Sequence, residues 1–455
     1  MKKIAVIVLL CAATPLAAET TTYRVLFAGD DTGHLVVDRA ENRVAIDFDF
    51  KQNGRGPTIA EELTLDERGY PVDWTITGTT TFGSTVDEYF RVEDDGARWQ
   101  DATGSDDASI SGALPFYIDQ NGSVFSRALL ARALLADADL RLEVLPGGEA
   151  AIRERSTSSF DGPDGEFVVT AYEISGLSYN PDLIMLDQDG EFFATASPRF
   201  SIVRAGYESA DAELRKIAET LSTERFVEIQ SKVAHRHEAP VRIRNVRVFD
   251  PAALTLTQPK DVVVYGDRIA GVQPANSPVP EGDVVIDGAG GTLVPGMYEM
   301  HGHLGQGNAL LNVAAGVTSV RDMGNENAVL EDLRNRIDDG TIAGPRITRS
   351  CFIEGKSEFS AATGETVATL DEALAMVRWC GSRDFYQVKL YNSMQPEWAE
   401  TIVEEAHRLG LRVAGHVPAF STANAMIEAG FDEITHANQL MLGWVLEDDE
   451  DTRTL

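Results

Sequence analysis

Positive charge and cysteine are what this sequence has least of. Its 455 residues carry 39 Lys and Arg against 72 Asp and Glu, a formal net charge of −33. Nucleic acids and anionic membrane surfaces select basic patches, so this balance argues against both as partners. The excess acid reads as a solvated surface that keeps the protein soluble. Only three cysteines occur, Cys11, Cys351 and Cys380, with no CxxC and no Cys/His cluster, which leaves no basis for a zinc–thiolate site. The apolar run from Ile4 to Ala13 is too short to make a good membrane-spanning helix. It lies between Lys2-Lys3 and a small-residue region in MKKIAVIVLLCAATPLAAE, the layout of a secretory signal peptide over residues 1–18, with cleavage expected after Ala18. Cys11 does not read as a lipid-attachment residue, because Leu10 stands where a small residue would be wanted. Export permits a disulfide, yet sequence alone does not show whether Cys351 and Cys380 come close enough to pair.

The hydrophobic content of 43% and charged content of 24% are ordinary for a globular protein, and the length implies two or three domains. From Tyr23 to about Ser123, segments such as RVLFAG, RVAIDFDF and VDWTITGTTT alternate polar with apolar residues between Gly, Asp and Asn turns. That period of two predicts an antiparallel sheet with one buried face. A short helix over Ser126–Ala138 follows, then more strands. A longer helix over Tyr207–Arg236 has Leu214, Ile217, Leu221 and Phe226 along one face. Residues 19–208 therefore read as a β-rich accessory domain with a structural or substrate-presenting role, and 209–239 as a helical connector.

Beyond Pro240 a strand-rich segment, 240–295, gives way to strands alternating with helices. Strand signals recur at 318–324, 346–355, 385–392, 412–418 and 433–441, with helical stretches between them. Strand and helix in succession mean βαβ units on a parallel sheet, and this many units point to a closed barrel whose chemistry gathers at the C-terminal strand ends. Thr292–Leu304, TLVPGMYEMHGHL, ends the first such strand in His301-Gly302-His303, and the strand period puts both imidazoles on one face. Lys389 lies in the fourth strand, His416 ends the fifth and His436 lies in the sixth. Taken singly, these could be a strand-end lysine, a turn histidine before Val417-Pro418 and a hydrogen-bonded core histidine. Taken together, four histidines and a lysine at successive strand ends compose a metal site, since neutral imidazoles suit zinc and related divalent ions. His34, His235, His237 and His407 fall outside this pattern.

The segments PGMYEMHGH, AAGVTSVRDMG, YQVKLYNS, VAGHVP and EITHANQ resemble the amidohydrolase superfamily of metal-dependent (β/α)8-barrel hydrolases. The branch is that of imidazolonepropionase and the Xaa-Pro dipeptidases, and the likeness covers roughly Pro240 to Leu455. It implies an α/β fold with a TIM-type barrel in residues 296–455, of which about six strands are present, and a small flanking β-sandwich in 240–295. It implies that His301 and His303 bind the more buried of two metals, that Lys389 reacts with CO2 to form a carbamate bridging both, and that His416 and His436 bind the second. The ions are expected to be zinc. The implied reaction is hydrolysis of an amide C–N bond in a dipeptide, an N-acyl amino acid or a cyclic amide, by metal-activated water. Arg321-Asp322 matches the family's RDMG segment and reads as an internal ion pair bracing the strand end. Tyr391 and Asn392 stand just beyond Lys389, within reach of the pocket.

One family feature is missing, the aspartate at the end of strand eight that moves a proton from water to the leaving nitrogen. The chain stops at Leu455, just past the acidic run Glu447–Asp451, with no strand–helix–strand in front of those carboxylates. The sequence therefore reads as a fragment of a longer protein, exported to the periplasm or the exterior, with no membrane span in its mature form. The alternative is a non-catalytic exported binding protein in which the incomplete barrel is a degenerate scaffold. Oligomeric state and metal identity stay open at this level.

Overall fold

The computed structural model describes residues 19–93, 96–162, 165–361, 363–447 and 450–453. The leader read at 1–18 lies outside the described residues. The chain divides into two compact units, one holding residues up to 221 with segments 356–362 and 449–455, the other holding 222–355 and 363–448. Among the described residues, no helix is long and apolar enough to cross a membrane.

The first unit is organised by a fifteen-stranded sheet. Arg43–Phe50 illustrates why these segments become strands: Val44, Ile46 and Phe48 are buried while Arg43, Ala45 and Asp47 are exposed, one face in and one out. Glu19–Phe27 lies inside the sheet rather than at its edge. It pairs antiparallel with Asp30–Ala40 on one side and with Phe200–Arg204 on the other, so the two ends of the unit are joined. The helix Phe125–Ala136 contributes Phe125, Leu130 and Leu134 to a core that also contains Trp74 and Phe90.

Glu61, Glu88 and Asp119 are among the carboxylates buried in this unit. Buried carboxylates require donors, and most of these come from one connection. Glu88 accepts from the backbone N–H groups of Gln120 and Asn121 at 2.9 and 3.1 Å. Glu61 accepts from Ser123 N–H at 2.6 Å and from Trp74 Nε1–H at 3.0 Å. Arg127, from the helix, donates to Asp119 at 2.8 Å. The acids thus fix the segment that leads into the helix.

The helix Asp211–Val233 is somewhat shorter than the sequence suggests, and the division between the units falls within it, after Leu221. In the second unit, Val241–Asp250 pairs antiparallel with Lys260–Tyr265 and parallel with Val284–Asp287 and Thr292–Leu293. The expected sandwich is therefore one six-stranded mixed sheet, because Val241–Asp250 is long enough to take partners along both edges.

The α/β part follows. Strands β1 (Met297–Gly302), β2 (Val317–Asp322), β3 (Arg346–Gly355), β4 (Gln387–Leu390), β5 (Arg412–Gly415) and β6 (Glu433–Ile434) form a parallel sheet in that order. Each strand pairs with its neighbours, and β1 and β6 are its two ends, so among the described residues the sheet is an open, half-barrel-like parallel sheet and not a closed barrel. Helices α1 (Gln306–Ala314), α2 (Asn327–Asp338), α3 (Leu370–Gly381), α4 (Ala399–Arg408) and α5 (Ala423–Glu428) connect the strands. Helix α4 buries Ala399, Ile402, Val403 and Ala406, the i, i+3, i+4, i+7 stripe of an amphipathic helix. This stripe belongs to the same core as Val388, Leu390 and Val413. Cys351 of β3 and Cys380 of α3 form a disulfide across this layer, with Cα atoms 6.1 Å apart.

Candidate metal centre

All four residues of β4 are buried, and they divide by strand period. Val388 and Leu390 join the helix-side core, which leaves Gln387 and Lys389 for the other face. Gln387 donates to Ser350 Oγ at 2.9 Å and approaches Met323 Sδ at 3.0 Å, making a polar layer beside Lys389. Lys389, 1% exposed, brings Nζ to 3.4 Å from His301 Nε2.

The sheet brings the remaining imidazoles to the same place. The His301 and His303 rings are 5.3 Å apart, His301 and His436 4.5 Å, and His416 and His436 4.9 Å. His416 follows β5 directly. His436 is not in a strand, contrary to the sequence reading of 433–441. The strand ends at Ile434, His436 adopts a left-handed φ of 70°, and residues Ala437–Leu442 form helix α6. The turn is what points this imidazole at the others. Tyr391 stacks near His416 at 4.1 Å, and Phe352 lies 4.9 Å from Tyr391, so aromatic rings flank the cluster.

Two imidazoles are oriented through their far nitrogens. His303 Nδ1 is 2.7 Å from the carbonyl oxygen of Gly324, an acceptor only, so Nδ1 carries the proton and donates. His416 Nδ1 donates to Asn392 Oδ1 at 2.6 Å. In the neutral ring this leaves each Nε2 with a lone pair, the state a metal ligand needs. Electrostatics suits the same purpose. Burial, with the Lys389 charge next, pushes His301 down to about 4, and the same causes lower His436, so both are neutral imidazoles at ordinary pH. Burial also pushes Lys389 down to about 8, with Arg321 adding to the effect and Asp322 and Glu433 opposing it.

Among the described residues, no three or more His, Cys, Asp or Glu side chains are already set around a single ion. The donor chemistry nevertheless fits a divalent cation: neutral imidazoles, two of them locked to present Nε2, beside a buried amine.

Sequence reasoning missed the supports. Arg321 and Asp322 do not pair with each other. Arg321 binds Glu433, while Asp322, fully buried, accepts from the backbone N–H groups of Leu304 and Gly324 at 2.7 and 3.0 Å. Asp322 thus holds both the residue after His303 and the turn whose carbonyl orients His303. Asn392, noted only as near the pocket, contacts a cluster member. The other histidines lie apart: His34 bonds Asp47, His407 bonds Asp432, and His235 stacks on His237.

No family model matches the chain. Over 199 residues it is 27% identical to an adenine deaminase of Chelativorans sp. (strain BNC1), an alignment covering 40% of this chain and 32% of that protein. Similar solved structures include one from Bifidobacterium longum provisionally named a prolidase, at 25% identity and TM-score 0.38, covering 44% of this chain and 54% of the other. A Xaa-Pro dipeptidase with methionine bound in its active site is 20% identical, with TM-score 0.36, 44% of this chain and 62% of the other being covered. The chain thus spans about a third of its curated relative's length. These relatives are amidohydrolase-superfamily proteins, the superfamily that the motifs between His301 and His436 resemble.

Proposed function

We propose that the complete protein is an exported, metal-dependent hydrolase that cleaves an amide C–N bond in a small molecule: a dipeptide, an N-acyl amino acid or a cyclic amide. The observation that carries this reading is the meeting of His301, His303, His416 and His436 beside the buried Lys389. The sequence likeness to a deaminase supports the same bond class, since a deaminase also breaks a bond from carbon to nitrogen.

Divalent cations held by these residues, two zinc ions in our reading, would polarise the substrate carbonyl and make a water acidic enough to attack it. The chain's own residues prepare the site. His301 and His436 stay unprotonated and offer lone pairs. With its pKa near 8, Lys389 has ~10% of its amine neutral at pH 7, several hundred times the fraction of an ordinary lysine. That neutral nitrogen could add to CO2, forming an N–C bond and releasing a proton to water, and Lys389 would then offer negatively charged oxygen to the cations that the imidazoles hold. The Phe352 and Tyr391 rings lie 5.8 and 5.7 Å from Lys389 Nζ. Export to the periplasm or the exterior rests on the leader-like residues 1–18.

Elemental analysis of this chain and of the complete protein tests the reading, together with amine release from a panel of dipeptides and N-acyl amino acids. Two divalent ions per complete chain, fewer after His301→Ala, with turnover of at least one amide class, is the expected outcome. No bound metal in either form would leave a ligand-binding role in its place.

A further inference from the structure

Asn392 is 2% exposed and lies two residues past the end of β4, where its Oδ1 stands 2.6 Å from His416 Nδ1. The contact has a chemical consequence beyond packing. A neutral imidazole carries one proton, and an acceptor at Nδ1 keeps it there, so Nε2 is a lone pair. A donor at the same place would move the proton to Nε2 and close that nitrogen to any cation. His303 is held in the same tautomer by a backbone carbonyl, that of Gly324, which no side-chain substitution changes. His416 depends on a side chain, and an amide side chain can present either its oxygen or its NH2 group.

We propose that Asn392 is a positioning residue that fixes the Nδ1–H tautomer of His416 and aims its Nε2 into the imidazole cluster. This inference rests on the metal-centre reading above for its purpose, though not for its geometry. Asn392 has a second link to the same segment through its main chain: its carbonyl accepts from Ala419 N–H at 2.9 Å, and Gln439 Oε1 accepts from Val417 N–H at 3.1 Å. The loop bearing His416 is therefore tied down independently of the Asn392 side chain. Replacing the amide with an apolar group of similar volume removes the acceptor while those ties remain.

The test uses the full chain with Zn2+ alone as the probe, in wild type, Asn392→Leu and Asn392→Asp. Folding is monitored by circular dichroism. Nitrogen-15 NMR of the imidazole in the metal-free protein at about pH 8 reads the tautomer, and chelator competition reads zinc affinity. Wild type is expected to show protonated Nδ1 and bare Nε2 at His416. Asn392→Leu is expected to show a mixture of tautomers and a roughly 10–100-fold loss of zinc affinity. Asn392→Asp, which retains an acceptor, is expected to restore both. A protonated Nε2 in wild type, or zinc affinity and tautomer unchanged in a folded Asn392→Leu, would overturn the assignment. Absence of zinc binding in wild type would instead overturn the metal reading, and the tautomer measurement alone would then decide the role of Asn392.

Discussion

Arg321 grips Glu433 with both arms of its guanidinium, Nη1 to Oε2 at 2.6 Å and Nη2 to Oε1 at 2.7 Å, across 112 residues of sequence. One residue lies on β2 and the other on β6, so the fork spans strands that are not neighbours in the sheet, and this requires the sheet to curl. Arg321 also donates through Nε to the carbonyl of Met300, the residue before His301, at 2.7 Å. A single side chain therefore ties the segment carrying His301 to the strand that precedes His436.

Arg321→Met should lower the stability of the second unit by about 2–3 kcal/mol, less than a fully buried pair would lose because Glu433 is partly exposed. The Arg321 hydrogen bonds hold Glu433 below the ordinary glutamate range. A depressed carboxyl contributes stability above its unfolded pKa and loses it as pH falls through the folded one, so the contribution should vanish in acid, below the ordinary value of 4.5. Urea titrations of wild type and Arg321→Met should converge at low pH. A constant gap at every pH would mean that packing, not the ion pair, is what was lost.

Glu61 has the opposite sign. Burial first, and Asp119 second, push its carboxyl up to about 7. The folded chain then keeps a proton that the unfolded chain has already lost, so stability should fall as pH rises from about 4.5 to about 7, by about 3 kcal/mol in all. Glu61→Gln cannot ionise, but it keeps only one of the two acceptor oxygens that Ser123 and Trp74 use. It should flatten this slope, as judged by the urea midpoint of the first unit followed across that pH range.

The contrast between His303 and His436 shows how far sequence can be read. HxH at a strand end is a local pattern with a fixed consequence, because a period of two puts both rings on one face, and the structure brings those rings within 5.3 Å. EITHANQLM also reads as a strand signal, but the chain turns at His436, where a left-handed φ ends the strand, and the next residues form a helix. Arg321–Glu433 and Asn392–His416 were illegible for another reason. Each depends on how strands far apart in sequence are set side by side, and no local pattern in RDMG or KLYNS names the partner. In the first unit the alternating strands were legible, whereas the pairing of Tyr23 with Arg204, which joins the first and last strands of that unit in the middle of the sheet, was not.

The disulfide between Cys351 and Cys380 spans 29 residues from β3 to α3. A loop of this length should contribute about 3–4 kcal/mol by restricting the unfolded chain. Reductant should lower the melting temperature of the second unit, and Cys351→Ala/Cys380→Ala should melt at the reduced value with no further response to reductant. A double variant still sensitive to reductant would show that the effect arises elsewhere.

Lys389 is the residue where stability and the proposed chemistry oppose each other. In the metal-free protein, burial pushes its amine down to about 8 from 10.5. The unfolded chain binds this proton more tightly than the folded one, so the folded state is penalised below pH 8 and recovers as pH rises from 8 towards 10.5. Lys389→Met removes the charge and keeps the length of an apolar stem. It should stabilise the metal-free second unit at pH 7 by about 1–3 kcal/mol and remove the rise in stability at alkaline pH. The same variant should bind fewer divalent ions than wild type, because the imidazoles remain but the group between them is gone. A variant that is both less stable and unchanged in metal content would contradict the buried-amine account. One that is more stable and poorer in metal would indicate that this lysine is kept in the core for what it holds rather than for what it adds to folding.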